Sequence, residues 1–94
     1  MAMLVRFAPA GAGTTEDYDE TIRRLEEGGD FPPDGLDYHV CFLQDGNIRV
    51  SEIWDSREQF EAFGERLMPV LSEAGIEFSG EPEVFEVHNI EKRA

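Results

Sequence analysis

The dipeptide Asp45-Gly46 constrains the fold of this chain more than any other feature, because it separates two runs rich in β-branched and aromatic residues. Aspartate followed by glycine is a preferred pair for a two-residue type I′ turn, whose twist matches that of an antiparallel hairpin. The turn predicts strands over residues 36–44 and 47–54 and pairs Gln44 with Asn47. The same register places His39 opposite Glu52.

The chain before the hairpin predicts a strand and then a helix. The strand, over residues 3–8, ends where a proline and two glycines interrupt the chain. The helix is expected over residues 15–27, and Thr14 or Thr15 can accept the first free N–H groups at its start. Tyr18, Ile22 and Leu25 recur at helical spacing, so the helix has one apolar stripe.

The chain after the hairpin predicts a helix and then a strand. Asp55 and Ser56 are the two candidate N-caps, since each has an acidic or amide partner three residues further on. Apolar residues continue at helical spacing to Gly75, and Pro69 is expected to kink the helix or to restart its last turn. The final strand is predicted over residues 82–89.

The element order is therefore β-α-β-β-α-β. Two units of strand and helix around a hairpin predict an α+β fold of ferredoxin-like plan, with one four-stranded antiparallel sheet and both helices on one face. The 94 residues leave room for a single core. We expect one domain over residues 1–94.

Alternation along the predicted strands separates two sets of side chains. The first set is almost wholly apolar and is expected beneath the helices: Val5, Phe7, Val40, Phe42, Ile53, Phe85 and Val87. The second set mixes apolar with charged residues: Leu4, Arg6, His39, Cys41, Ile48, Val50, Glu52, Trp54, Val84, Glu86 and His88. The second face is too apolar to lie bare in water and too charged for an ordinary core.

Two arrangements account for the mixed face. A second copy of the chain could cover it, or its charged residues could lie at strand ends and leave a few apolar side chains wet. The first arrangement explains more residues, and isologous dimers are the commonest assemblies. We therefore expect a homodimer.

The composition argues against several classes of partner. The 21 acidic residues outnumber the 8 basic ones, and the resulting charge of −13 disfavours binding to nucleic acid or to anionic membranes. The single cysteine, Cys41, excludes an internal disulfide. No segment has the pattern of a signal peptide or a membrane span, so a cytoplasmic location is expected.

A strand-to-helix motif carries a resemblance to a known family. Residues 52–63, EIWDSREQFEAF, resemble the E-x-W-x-S-x-x-x-F-x-x-F/H signature of dimeric α/β barrel proteins. Within that superfamily the chain resembles the small antibiotic-biosynthesis-monooxygenase-like proteins of unassigned function. The resemblance implies two sheets that close a barrel and a pocket that takes a small apolar molecule.

The resemblance also implies an activity. Some members oxygenate polycyclic phenols without a metal or flavin, and no cofactor is expected here. Haem cleavage is not expected, because the helix-borne histidine of the haem-cleaving members is missing. The two histidines and their neighbouring glutamates have no metal-ligand spacing, so no metal site is expected either.

His39 and Glu52 are the candidate catalytic pair, with His39 as base or hydrogen-bond donor and Glu52 as the residue that orients it. The alternative is a structural ion pair that sets strand register. The same alternation places the candidate substrate-binding residues near them, with Arg6 as an anion stabiliser and Trp54 as a wall. These residues are Arg6, Cys41, Val50, Trp54 and Glu86.

Overall fold

The computed structural model describes residues 2–7, 14–76 and 82–93. Its elements are β1 Met3–Phe7, α1 Thr15–Glu27, β2 Leu36–Gln44, β3 Asn47–Trp54, α2 Arg57–Ala74 and β4 Glu83–Glu86. The four strands form one sheet in the order β2-β3-β1-β4, with antiparallel neighbours throughout. Both helices pack on one face, as the ferredoxin-like plan predicts.

Each helix begins at a polar cap that satisfies a free backbone N–H group. The Thr14 hydroxyl accepts from the Asp17 N–H at 3.0 Å, and the Ser56 hydroxyl accepts from the Gln59 N–H at 3.2 Å. These contacts select one cap from each pair that the sequence offered. Helix α2 runs through Pro69 to Ala74, so the predicted restart of its last turn is not found.

The central hairpin has the predicted register. Asp45 and Gly46 both have positive φ angles, 53° and 80°, as a type I′ turn requires. Gln44 pairs with Asn47, and His39 consequently lies opposite Glu52. The polar pair expected from the turn is therefore confirmed.

The assignment of the two sheet faces was correct for β1, whose Val5 and Phe7 lie beneath the helices, and wrong for β2, β3 and β4. Val5 of β1 lies opposite Glu52 of β3, so the two side chains share a face. That face is the one beneath the helices, because Val5 and Trp54 form the core with Leu25 of α1 and Phe63 of α2. The mixed-set residues of β2 and β3, and Val84 of β4, thus lie on the face beneath the helices.

The opposite, outer face of the sheet has no helix over it. The alternation and the observed registers place the polar Arg6, Arg49, Ser51 and Glu83 there, together with these apolar side chains: Leu4, Tyr38, Val40, Phe42, Ile53 and Phe85. Tyr38 is 50% exposed and Phe85 is 46% exposed, although both are large and apolar over most of their surface. This is not the face that the sequence indicated for a partner.

Strand β4 is shorter than predicted and ends at Glu86. The Val87 N–H donates to the Ala2 carbonyl at 3.0 Å, and the chain then leaves the strand. Lys92 Nζ reaches both carboxylate oxygens of Asp37 at 2.9 and 2.8 Å, which ties the C-terminal segment to the start of β2. Within the described ranges, neither helix combines the length and apolar character needed to cross a membrane.

Candidate functional site

A pocket lies between the helices and the inner face of the sheet. Its cavity volume is about 70 Å³, and it is partly open to solvent. Its apolar lining comes from both helices, the sheet and the loop before β2: Phe7, Ile22, Leu25, Phe31, Ile48, Val50, Phe63, Leu67, Leu71 and Ile76.

Four polar side chains form one connected row at the pocket, which we call the polar chain: Tyr18, His39 and Glu52 line the pocket, and Trp54 lies behind Glu52. The Tyr18 hydroxyl lies 2.6 Å from His39 Nε2, and His39 Nδ1 lies 2.6 Å from Glu52 Oε2. The other oxygen of Glu52 accepts from the Trp54 indole N–H at 3.1 Å. One helix, α1, and two strands, β2 and β3, thus contribute to one line of hydrogen bonds.

When Glu52 is ionised, the contacts of the polar chain determine which of its atoms carry protons. An indole nitrogen only donates and a carboxylate only accepts. His39 Nδ1 therefore carries the proton that it donates to Glu52, and when the imidazole is neutral Nε2 accepts from the Tyr18 hydroxyl. In this arrangement His39 is a neutral base whose basic atom points to Tyr18.

Local structure explains why these four side chains meet. Glu52 and Trp54 are two residues apart on β3, so both point to the inner face and the indole reaches back to the carboxylate. His39 is the cross-strand partner of Glu52. Tyr18 projects from the apolar stripe of α1 and stacks on the imidazole, with ring centroids 5.9 Å apart and planes inclined by 21°.

The site is well shielded from water. Glu52 is 3% exposed, and the His39 side chain is 16% exposed. Phe31 covers another side of the imidazole, with its ring 5.3 Å away in an edge arrangement. A buried carboxylate is costly unless it accepts hydrogen bonds, and the two donors on Glu52 supply them.

Burial also alters the acidity of two neighbouring groups. It raises the pKa of Tyr18 to about 12, and negative charge at Cys41, Glu52 and Asp19 acts in the same direction. Burial likewise raises the pKa of the Cys41 thiol, with a smaller contribution from Asp19. At neutral pH Tyr18 is therefore a neutral phenol, and Cys41 is a thiol rather than a thiolate nucleophile.

The structure gathers part of the predicted site. His39, Glu52 and Val50 line the pocket, as expected for site residues. Cys41 is half-buried on the inner face, where it pairs with Val50 across the hairpin.

The other predicted site residues lie elsewhere. Arg6 is exposed on the outer face, because it alternates with the inward-facing Val5 and Phe7, so it cannot stabilise an anion in this pocket. Glu86 is exposed near the end of the edge strand, and His88 is exposed beyond it. Trp54 is 0% exposed and packs in the core behind Glu52, so it anchors the carboxylate and is not a pocket wall.

Tyr18 contacts His39 and lines the pocket, although the sequence does not single it out as a site residue. Its place on the apolar stripe of α1 showed that it faces the sheet, and a core role was the natural interpretation. Its partner His39 is 21 residues away on another element, and no local pattern connects the two. Thr21 also lines the pocket, but its hydroxyl donates to the Asp17 carbonyl at 2.9 Å.

The donor set does not indicate a metal ion. Within residues 2–7, 14–76 and 82–93, no three His, Cys, Asp or Glu side chains converge closely enough to hold one. The inner wall offers one imidazole and one carboxylate, which already bind each other.

Solved structures share this architecture. SnoaB, a cofactor-independent oxygenase from Streptomyces nogalater, superposes with a TM-score of 0.60 over 95% of this chain and 93% of its own, at 15% sequence identity. A candidate antibiotic biosynthesis monooxygenase from Chloroflexus aurantiacus gives a TM-score of 0.59 at 17% identity, over 97% of this chain and 95% of its own. The chain has the fold of these oxygenase-type proteins.

The fold by itself does not determine an activity. The de novo designed protein Foldit4 also superposes, with a TM-score of 0.60 at 15% identity, over 94% of this chain and 100% of its own. No protein-family model and no curated protein matches the sequence. The expected resemblance is thus confirmed as a shared fold, and any function has to be argued from the residues of the pocket.

Proposed function

We propose that this protein is a small-molecule enzyme that removes a proton from an apolar, aromatic compound bound between its sheet and helices, in the manner of a cofactor-independent oxygenase. The observation that carries the proposal is the 2.6 Å contact between His39 Nδ1 and Glu52, in the wall of an otherwise apolar pocket. The contact leaves Nε2 as the basic atom of the imidazole. SnoaB, which has the same fold, is a cofactor-independent oxygenase.

The proposed chemistry begins with proton transfer to His39. The positive charge that forms on the imidazole lies against the Glu52 carboxylate, and the substrate becomes an electron-rich anion. A ring carbon of that anion gives electrons to O₂ and forms a C–O bond, which yields a hydroperoxide. Loss of water then leaves a second carbonyl, so a phenol and O₂ become a quinone and H₂O without an external reductant.

A second function fits the same contacts, namely a non-catalytic binding or structural homodimer. Both ring nitrogens of His39 and both oxygens of Glu52 have hydrogen-bond partners within the subunit. A pair whose hydrogen-bonding groups all have partners can have a purely structural role, which is to fix the register of the two strands. Ligand binding and turnover distinguish the two functions.

Ligand binding is the first test of the pocket. A polycyclic phenol at about 100 times its dissociation constant should stabilise the protein by about 2.7 kcal/mol, which raises the unfolding midpoint by roughly 10 °C or more for a domain of this size. Differential scanning fluorimetry measures the shift. A series of polycyclic phenols that produces no shift would contradict both binding and catalysis.

Matched tryptophan variants locate the binding. Leu67 lines the pocket, whereas the adjacent Met68 is 55% exposed on the same helix. Leu67→Trp should fill the pocket and abolish the shift, and Met68→Trp should retain it. Equal shifts in the two variants would place the ligand elsewhere.

We also propose that a second copy of the chain covers the outer face of the sheet. The apolar residues exposed on that face include Tyr38 and Phe85, and an isologous pairing of two such sheets would bury both. Sedimentation equilibrium should then give twice the 10.6 kDa mass of one chain. Phe42→Asp, on the outer face, should shift the mass to that of the monomer, because dimerisation would bury an unpaired charge.

The control for the dimer is Met68→Asp, which adds the same charge to an exposed apolar site on α2. It should leave the dimer intact. A wild-type protein that sediments as a 10.6 kDa monomer at micromolar concentration would refute the dimer.

A further inference from the structure

The basic atom of His39 is already occupied in the structure. Glu52 binds Nδ1, and the Tyr18 hydroxyl lies 2.6 Å from Nε2. A substrate that contacts Nε2 directly has to displace Tyr18, whose ring is stacked on the imidazole. A substrate that contacts the Tyr18 oxygen leaves every bond of the polar chain in place.

A phenolic hydroxyl is suited to this intermediate position. Its oxygen donates one proton and has lone pairs that accept others. The proton of Tyr18 is directed to His39, so the oxygen can accept a hydrogen bond from a group in the pocket that it lines. The surrounding lining is apolar, which makes this oxygen a specific polar contact for a bound molecule.

We propose that Tyr18 is the residue that contacts the substrate, and that it selects compounds with a hydroxyl group and relays their proton to His39. The inference rests on the proposed function and adds to it a residue and a ligand class.

The proton step balances within the polar chain. The O–H bond of the substrate breaks as its proton moves to the Tyr18 oxygen, and the original Tyr18 proton moves to Nε2 of His39. The substrate becomes an anion, Tyr18 stays neutral, and the imidazolium lies between Tyr18 and the Glu52 carboxylate. No free phenolate of Tyr18 is required, which agrees with the pKa of about 12 that burial gives this group.

Two bicyclic probes test the hydroxyl contact. 2-Naphthol carries one hydroxyl and naphthalene carries none, so the ratio of their dissociation constants isolates the hydroxyl from the apolar contacts. We expect Tyr18→Phe to reduce the preference for 2-naphthol by about three- to tenfold, the usual effect of one lost hydrogen bond. Naphthalene affinity should stay within about twofold, because the phenyl ring retains the packing. Fluorescence titration of the full chain provides both constants.

Tyr38→Phe is the matched control, since it removes a hydroxyl from the exposed tyrosine of the outer face. The ratio of the naphthalene and 2-naphthol dissociation constants in this variant should equal that of the wild type. A Tyr18→Phe variant that keeps the wild-type ratio would overturn the inference while the proposed function stands, and loss of the ratio in His39→Asn alone would assign the contact to His39. Failure of the wild type to bind either probe would refute the proposed function, and this inference with it.

Discussion

Replacing Glu52 by alanine is expected to lower the free energy of unfolding by about 3–5 kcal/mol, the combined effect of two buried donors left without an acceptor and of the cavity that opens beside them. The carboxylate is 3% exposed and accepts from both His39 and Trp54. For a domain of this size the loss is a large part of the total stability. Urea denaturation followed by circular dichroism measures it, at one protein concentration for all variants.

Two variants show whether the loss arises from the hydrogen bonds of Glu52. Glu52→Gln keeps the volume and one acceptor oxygen, so it should cost less than Glu52→Ala. Glu86→Ala removes an exposed carboxylate from the same sheet and should change stability by no more than about 0.5 kcal/mol. If Glu52→Ala cost no more than Glu86→Ala, the polar chain would not be a stabilising feature.

Replacing His39 by asparagine is expected to reduce turnover by about 10²- to 10⁴-fold, the usual contribution of a positioned general base. The shorter amide can still donate to Glu52 from a place close to that of Nδ1, but it has no basic atom to receive the proton of Tyr18. Substrate binding should persist, since the apolar lining is unchanged. Oxygen uptake with a polycyclic phenol that stabilises the wild type measures the rate.

The unfolding midpoint of His39→Asn has to be measured beside the rate, because a destabilised protein also loses activity. Tyr38→Phe, one residue earlier on the same strand and on the outer face, is the control for changes in β2. It should retain the wild-type rate. A His39→Asn variant that turns over within about threefold of the wild type would exclude His39 as the base and leave it a structural role.

The hairpin shows what local sequence can predict. A two-residue turn leaves one register for the strands that it joins, so Asp45 and Gly46 alone predicted that His39 faces Glu52. Each helix start was narrowed to two adjacent residues, and the structure shows that Thr14 and Ser56 are the caps, each acting on an N–H group three residues away. In each case the interaction is short in sequence and acts through the backbone.

The orientation of the sheet could not be predicted in the same way. We placed the apolar set beneath the helices because a charged residue such as Glu52 is costly in a core. The structure removes that cost with donors from His39 and Trp54, one of which comes from another strand. Alternation identifies which residues share a face, but it does not show whether a buried charge has partners. Arg6 was misplaced for a related reason, since the register of β1 against β3 depends on long-range pairing.

The contact between Tyr18 and His39 could not be predicted from local sequence at all. It depends on how α1 crosses the sheet, which is set by the packing of Leu25 against Val5, Trp54 and Phe63. The stripe on α1 predicted that Tyr18 points inward, and only the packed structure shows which inward group it meets. In the candidate site, the pairing of His39 with Glu52 therefore follows from the local sequence of the hairpin, whereas the contact of Tyr18 with His39 follows from tertiary packing.

The place of Trp54 gives the protein a built-in optical reporter. It is the chain's single tryptophan, its indole N–H is bonded to Glu52, and its ring lies 5.6 Å from that of Phe63 in the pocket lining. Indole emission responds to nearby charge and to the polarity around the ring. Intrinsic fluorescence of the unlabelled protein therefore monitors the charge state of the buried carboxylate and the filling of the pocket, without an added dye.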